Sequence, residues 1–156
     1  MLGEAQKEAA FALERAANAN KRTAEIEQRL ADRHITLDQR KKMLAILASH
    51  RGARVAVPFI TPSSSDAQEY SIEIGGVFRD AGWALVPSPW LTTMDNPVHG
   101  FAVVIRERGS SSKRKSLERV TREALSVLDN RISVTHGGQD PGTGMNLDLE
   151  ILVGNK

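Results

Sequence analysis

Two serine-rich segments contain the residues of this chain that are best placed to do chemistry. They span residues 61–66 and 106–113, and each lies between an apolar run and a segment with helical spacing. Free N–H groups at a helix N-terminus attract anions, so serines and cations at such a position are typical of phosphate sites. The sequence therefore predicts an anion or nucleotide site made of Thr61, Ser63, Ser64, Ser65, Arg108, Ser110, Ser111, Ser112 and Lys113.

These two segments also have a purely structural interpretation. Serine is a standard helix N-cap, and the carboxylate of Asp66 would repel a phosphate. The cations at positions 113–115 oppose the helix macrodipole, which suits a phosphate-bearing partner or simply a solvated helix end. Neither a glycine-rich dinucleotide fingerprint nor a Walker lysine motif is present. Anion binding is therefore the second hypothesis, and nucleic acid is not an expected partner.

Other kinds of reactive residue are missing or scattered. The four histidines lie in four different segments without ligand spacing, so the sequence predicts no metal site. The chain has no cysteine, which excludes thiol catalysis and disulfides. No serine lies in a nucleophile-elbow pattern. The sequence favours a protein that is not an enzyme, with no catalytic residue and no cofactor.

The size and charge of the chain are those of an ordinary globular protein. It has 156 residues, of which 40% are hydrophobic, and a formal net charge of +2. No apolar run approaches the ~20 residues that cross a bilayer. The first charged residues include Glu4 and Glu8, unlike a signal peptide. These features predict a soluble, cytoplasmic chain.

The first thirty residues carry a helical pattern. They contain no proline and, after Gly3, no glycine, while glutamate, lysine, arginine and glutamine fill most positions outside one apolar stripe. The stripe has heptad spacing, which favours pairing with another helix over a lone solvated helix, the alternative interpretation. Residues 1–34 are therefore predicted to be an oligomerisation helix with this seam: Leu2, Ala5, Ala9, Ala12, Ala16, Ala19, Thr23, Ile26 and Leu30.

Residues 35–156 have the alternating pattern of an α/β domain. Thr36 and Gln39 form a capping box before a helix, and short apolar runs then alternate with helical segments. The order strand, serines, helix occurs twice, which indicates either an internal duplication or independent convergence on the same order of α/β elements. We expect a small, mostly parallel sheet of about five strands with helices on its faces. The last strand, residues 147–153, suits a sheet edge, where an antiparallel orientation is allowed.

Three stretches of the chain resemble a group of uncharacterised bacterial proteins. They are residues 36–40 (TLDQR), 81–83 (AGW) and 152–156 (LVGNK), and the likeness covers residues 15–156. In that group a coiled-coil segment, often behind transmembrane helices, leads into a small α/β domain. This chain has Asp38 and Asn155 where the group commonly has proline. The resemblance implies architecture and a membrane-proximal setting, and it implies no activity.

The leading hypothesis is a noncatalytic interaction or sensory module. Its N-terminal helix would make a homo-oligomer, and its partner would be a membrane-anchored protein or another protein. Any association with a membrane would come from a part outside these 156 residues. The anion-binding domain is the alternative, and an enzyme of unrecognised type is the third possibility.

Overall fold

A computed structural model describes residues 2–58, 60–61, 65–87, 92–93, 99–137 and 146–154. The chain forms two compact units that divide between Asp32 and Arg33, two residues before the boundary inferred from the sequence. The first unit consists of one helix, α1 (Leu2–Leu30). Its side chains at positions 3–27 are all exposed. This helix is built from strong helix formers, so local propensity accounts for its formation.

The second unit begins with a capped helix, α2 (Leu37–Leu47), which continues into a short 3₁₀ turn at Ala48–His50. The Thr36 hydroxyl accepts a hydrogen bond from the backbone N–H of Gln39 at 3.2 Å, and the Gln39 side chain accepts one from the Thr36 N–H at 3.0 Å. The capping box predicted from the sequence is confirmed. It directs the apolar side of α2, with Met43 and Leu47, into the core.

The rest of the second unit alternates strands and helices, as the sequence predicts. Its elements are β1 (Arg54–Ala56), β2 (Ile60–Thr61), α3 (Ser65–Asp80), β3 (Ala84–Leu85), β4 (Thr92–Thr93), β5 (Phe101–Ile105), α4 (Ser111–Ser126), β6 (Ile132–His136) and β7 (Leu149–Val153). Five strands form one sheet in the order β3-β1-β7-β5-β6, and β2 pairs with β4 in a second, two-stranded sheet. The chain therefore has the expected fold class, a long helix followed by a small α/β domain.

The last strand lies in the centre of the sheet, although the sequence suggested an edge. β7 is parallel to β1 and antiparallel to β5, while β1 pairs with β3, and β5 with β6, in parallel. Its residues Leu149, Ile151, Leu152 and Val153 are buried, so the strand is apolar on both sides at its end. A central position suits such a strand, because strands pair with it on both sides and both of its faces lie well inside the sheet.

The sheet contains two parallel pairs, β1 with β3 and β5 with β6, on either side of β7, and the directions of these pairs decide where the helices lie. The β1-α3-β3 and β5-α4-β6 connections move outward from β7 in opposite directions, and the strands of the two halves also run in opposite directions. Right-handed crossovers then place α3 and α4 on the same face, where a doubly wound sheet would use both faces. Helix α2 contacts both of them there, and one core cluster joins the three helices to the strands.

Candidate functional site

The two serine-rich segments follow strands that run in opposite directions. In register, Ala56 at the end of β1 is level with Glu150 of β7, and Ile105 at the end of β5 is level with Leu149. Because β1 and β5 run in opposite directions, the chain leaves β1 toward one end of the strands and leaves β5 toward the other end. The strand directions therefore do not support the grouping of both segments into one anion site. Anion binding by either segment alone stays a prediction.

The first of these segments is only partly described. Ser63 and Ser64 lie outside the described residues, while Thr61 ends β2 and Ser65 begins α3. The side chains of Thr61 and Ser65 lie outside the described part as well, so their predicted role in an anion site is not tested. Asp66, in the first turn of α3, is buried and 8% exposed.

The second segment caps α4 in the ordinary way. The Ser110 hydroxyl accepts a hydrogen bond from the backbone N–H of Lys113 at 3.2 Å and lies 3.1 Å from the Ser112 hydroxyl. Ser111 and Ser112 are exposed. One of the three serines therefore has a structural role that the sequence allowed, and the other two face solvent at the start of α4.

The cations between β5 and α4, which were predicted to hold an anion, lie close to carboxylates of the chain itself. Arg108 Nε and Lys113 Nζ lie 3.9 and 3.7 Å from Oδ1 of Asp148. Arg106 donates a hydrogen bond to Oε1 of Glu150 at 2.8 Å. Much of the positive charge here is therefore balanced internally, which weakens the case for a phosphate site.

Asp148 is a residue that sequence reasoning assigned wrongly. Its alternation with the apolar residues of the predicted strand 147–153 favours a solvated side chain, but it is 4% exposed. Its Oδ2 accepts a hydrogen bond from the backbone N–H of Arg54 at 2.8 Å, and its own N–H donates to the Arg54 carbonyl at 2.9 Å. The side chain thereby extends the pairing of β7 with β1 by one residue, and its role is to hold two strands together.

Replacing Asp148 by alanine should lower the free energy of unfolding by roughly 2–4 kcal/mol, because the part-buried N–H of Arg54 loses its acceptor and nearby cations lose their counter-charge. Asp148→Asn keeps an acceptor oxygen and should cost clearly less. Urea denaturation of both variants measures the difference. Equal losses in the two variants would show that the hydrogen bond to Arg54 is not what stabilises the pairing of β7 with β1 at this point.

A second polar cluster fastens the start of the α/β unit to its body. The guanidinium of Arg33 donates to Oδ2 of Asp66 at 2.8 Å and to the carbonyl of Gly154 at 2.8 Å, and the Arg33 N–H donates to Oδ1 of Asp66 at 2.5 Å. The same guanidinium lies 4.8 Å from the centroid of the Tyr70 ring. Glu73 accepts a hydrogen bond from the N–H of Ile35 at 2.9 Å. Asp66, which we expected to repel a phosphate, therefore holds an arginine.

Tyr70, the only tyrosine of the chain, makes this cluster sensitive to alkaline pH. Burial raises the pKa of Tyr70 to about 12, although the nearby charge of Arg33 opposes the rise. The neutral phenol is thus favoured in the folded state, and its contribution is complete below pH ~10, the ordinary tyrosine pKa. Between about pH 10 and 12 only the unfolded chain ionises, so up to about 3 kcal/mol of stability should be lost.

Urea denaturation at several pH values across this window, with Tyr70→Phe as the control, measures the loss. The phenylalanine variant lacks the ionising group, so its free energy of unfolding should fall less over the same window. If the two proteins lose stability in parallel, the fall comes from other groups and the raised pKa of Tyr70 is contradicted.

A groove of about 340 Å³ lies beside the edge strand β3, on the flank of α3. Its walls include Ile72, 65% exposed, and Leu85, 36% exposed. Gly75 and Gly76 belong to its α3 side, and among the described lining residues Arg79 is the charged one. A volume of this size lies at the lower end of the range found for small-molecule sites. Sequence reasoning missed this groove, and the adjacent glycines inside a helix are the signal that could have pointed to it.

Metal and membrane chemistry find no support in the part of the chain that is described. Among its residues, no three histidine, aspartate or glutamate side chains come together in a way that could hold a metal ion. None of its helices is both long enough and apolar enough to cross a membrane.

Comparison with known proteins gives no relative from which to transfer a function. No protein-family model matches the chain, and searches of curated proteins and of solved structures found no similar protein.

Proposed function

We propose that this protein is a noncatalytic interaction module that self-associates through α1 and so brings several copies of its α/β unit together. The observation that carries the proposal is the exposure of α1. All side chains at positions 3–27 are exposed, and they include Phe11 at 62%, Leu13 at 72% and Ile26 at 55%. Covering large apolar side chains with a partner surface removes them from water, which favours association.

The seam supplies the surface for such a partner. Between positions 5 and 19 every seam residue is alanine, so two helix backbones can approach closely with little side-chain entropy to lose. Leu13 lies four residues after Ala9 and three before Ala16, and therefore flanks the seam on the helix surface. A narrow alanine stripe buries little area per turn, so the added cover of Leu13 and Ile26 matters for the stability of the pair.

A second copy of the chain is the simplest partner, because it carries the same stripe at the same spacing. In this proposal the protein works in the cytoplasm. Any association with a membrane would arise through a membrane-anchored partner or a part outside this chain. The α/β unit would supply the surface that contacts a further protein.

Multi-angle light scattering of the full chain and of residues 33–156 tests the proposal. The shorter chain keeps the whole second compact unit, including the cluster around Arg33. The full chain should have the mass of a dimer or a higher oligomer, and the shorter chain the mass of a monomer. The same number of chains per particle in both would refute assembly through α1. Circular dichroism of the shorter chain checks that it remains folded.

A further inference from the structure

We propose that the groove between α3 and β3 binds an aliphatic monocarboxylate, with its chain against the apolar walls and its carboxylate at Arg79. This site belongs to the α/β unit and does not depend on the proposed role of α1. Three features of the groove carry the inference: its two glycines, its apolar walls and the charge of Arg79.

The glycines keep the α3 side of the groove open at a cost to the helix. Gly75 and Gly76 lie inside α3, and neither has the left-handed backbone that requires glycine. A Cβ on Gly75 would make ordinary van der Waals contacts, the nearest with Leu85 at 3.4 Å, and a Cβ on Gly76 would have only Arg79 Nη2 within 4.0 Å. Packing therefore admits alanine at both positions, and alanine is the better helix former. What glycine preserves here is space.

The walls of this space are apolar and partly exposed. Val57, Val86 and two prolines line it together with Ile72 and Leu85. Ile72 and Leu85 are among the more exposed large apolar side chains of the α/β unit. Covering them with an aliphatic chain removes apolar surface from water, which is the main source of affinity for such ligands.

The charge of Arg79, at the rim of the groove, determines which head group the ligand carries. Arg79 is 67% exposed, and its Nε forms an ion pair with Oδ1 of Asp80 at 3.7 Å. Asp80 also accepts a hydrogen bond from the guanidinium of Arg40, so its charge is shared between two arginines. The Nη2 of Arg79 lies 4.0 Å from the position that a Cβ on Gly76 would take, and Arg79 is among the residues that line the groove. A guanidinium matches the geometry of a carboxylate and can bind both oxygens. Among the described lining residues, Ser71 Oγ donates to the Gln68 carbonyl at 2.6 Å, which leaves Arg79 as the group that recognises a charged ligand.

Decanoate, below its micelle-forming concentration, is the probe, and protein labelled with ¹⁵N at glycine gives the readout. Two of the 12 glycines belong to the groove. We expect saturable shifts at the amides of Gly75 and Gly76. In a series from hexanoate to decanoate, the affinity should rise by up to about fourfold per methylene as more of the chain is buried.

Two substitutions and a neutral ligand test the assigned roles. Arg79→Gln should weaken decanoate binding about fivefold and leave decanol binding unchanged, whereas Arg119→Gln, on an exposed part of α4, should change neither. Gly76→Ala should raise the melting temperature by a few degrees and weaken both ligands, because its methyl group narrows the groove while it favours the helix.

The combination of higher stability with weaker binding separates a ligand site from a folding defect. Three results would overturn the proposal: no shift at Gly75 and Gly76 with decanoate, equal affinity for decanoate and decanol, or unchanged decanoate affinity in Arg79→Gln.

Discussion

Replacing both Ala9 and Ala16 by glutamate is expected to reduce the full chain to a monomer in light scattering. Both positions lie on the seam of α1, where a pair of helices would bury two carboxylates from each chain close to one another. An unpaired charge at a buried interface costs several kcal/mol, and each 1.4 kcal/mol changes an equilibrium constant tenfold. A weak alanine interface would not survive a loss of this size.

The matched control moves the same two substitutions by one position, to Ala10→Glu and Ala17→Glu. These alanines are also exposed and lie off the seam, so the control has the same charge, composition and helix propensity. It should keep the mass of the unmodified chain. If both double variants become monomeric, general charge repulsion and not the seam explains the effect. If both remain oligomeric, the seam is not the interface.

Gly100→Ala is expected to remove at least about 4 kcal/mol of the free energy of unfolding, much of the 5–15 kcal/mol typical of a domain. Gly100 has a φ of +75°, and a Cβ there would lie 2.2 Å from the backbone oxygen of Arg131. The N–H of Phe101 donates to that same oxygen at 2.8 Å, and Gly154 N–H donates to the carbonyl of Gly100 at 2.9 Å. The clash therefore falls where β5, β6 and β7 begin or end together.

Gly109→Ala is the matched control, because Gly109 also has a positive φ, of +78°. Its added Cβ would meet Cδ of Lys113 at 2.9 Å, and a lysine side chain can rotate away. The expected loss is the backbone strain alone, about 1–2 kcal/mol. Urea denaturation compares the two variants. Similar losses of stability in the two variants would show that the backbone around Gly100 can shift to accept the methyl group, which would contradict the predicted clash with Arg131.

Most of the secondary structure could be predicted from the sequence, because its signals are local. The capping box of Thr36 and Gln39 involves residues three positions apart, and the helical stripes repeat every three or four residues. The apolar run from Phe101 to Ile105 is bounded by Gly100 and Arg106, and β5 has these limits. These features need no knowledge of distant parts of the chain.

The candidate sites could not be predicted in the same way. Asp148 is buried because Arg54, 94 residues earlier, supplies its hydrogen-bond donor. Asp66 holds Arg33 across 33 residues. The groove joins Val57, the glycines of α3 and Leu85, which only the folding of three elements brings together. No spacing in the sequence encodes these pairings.

By itself the sequence determined the kind of elements and their order, a long helix and then alternating strands and helices, since propensity, caps and periodicity act within a few residues. Only the tertiary structure decided that β7 enters between β1 and β5 and runs against β5. An apolar run has the same pattern in parallel and in antiparallel pairing, so strand direction depends on the packing of the whole sheet. That direction separates the two serine-rich segments and puts α3 and α4 on one face.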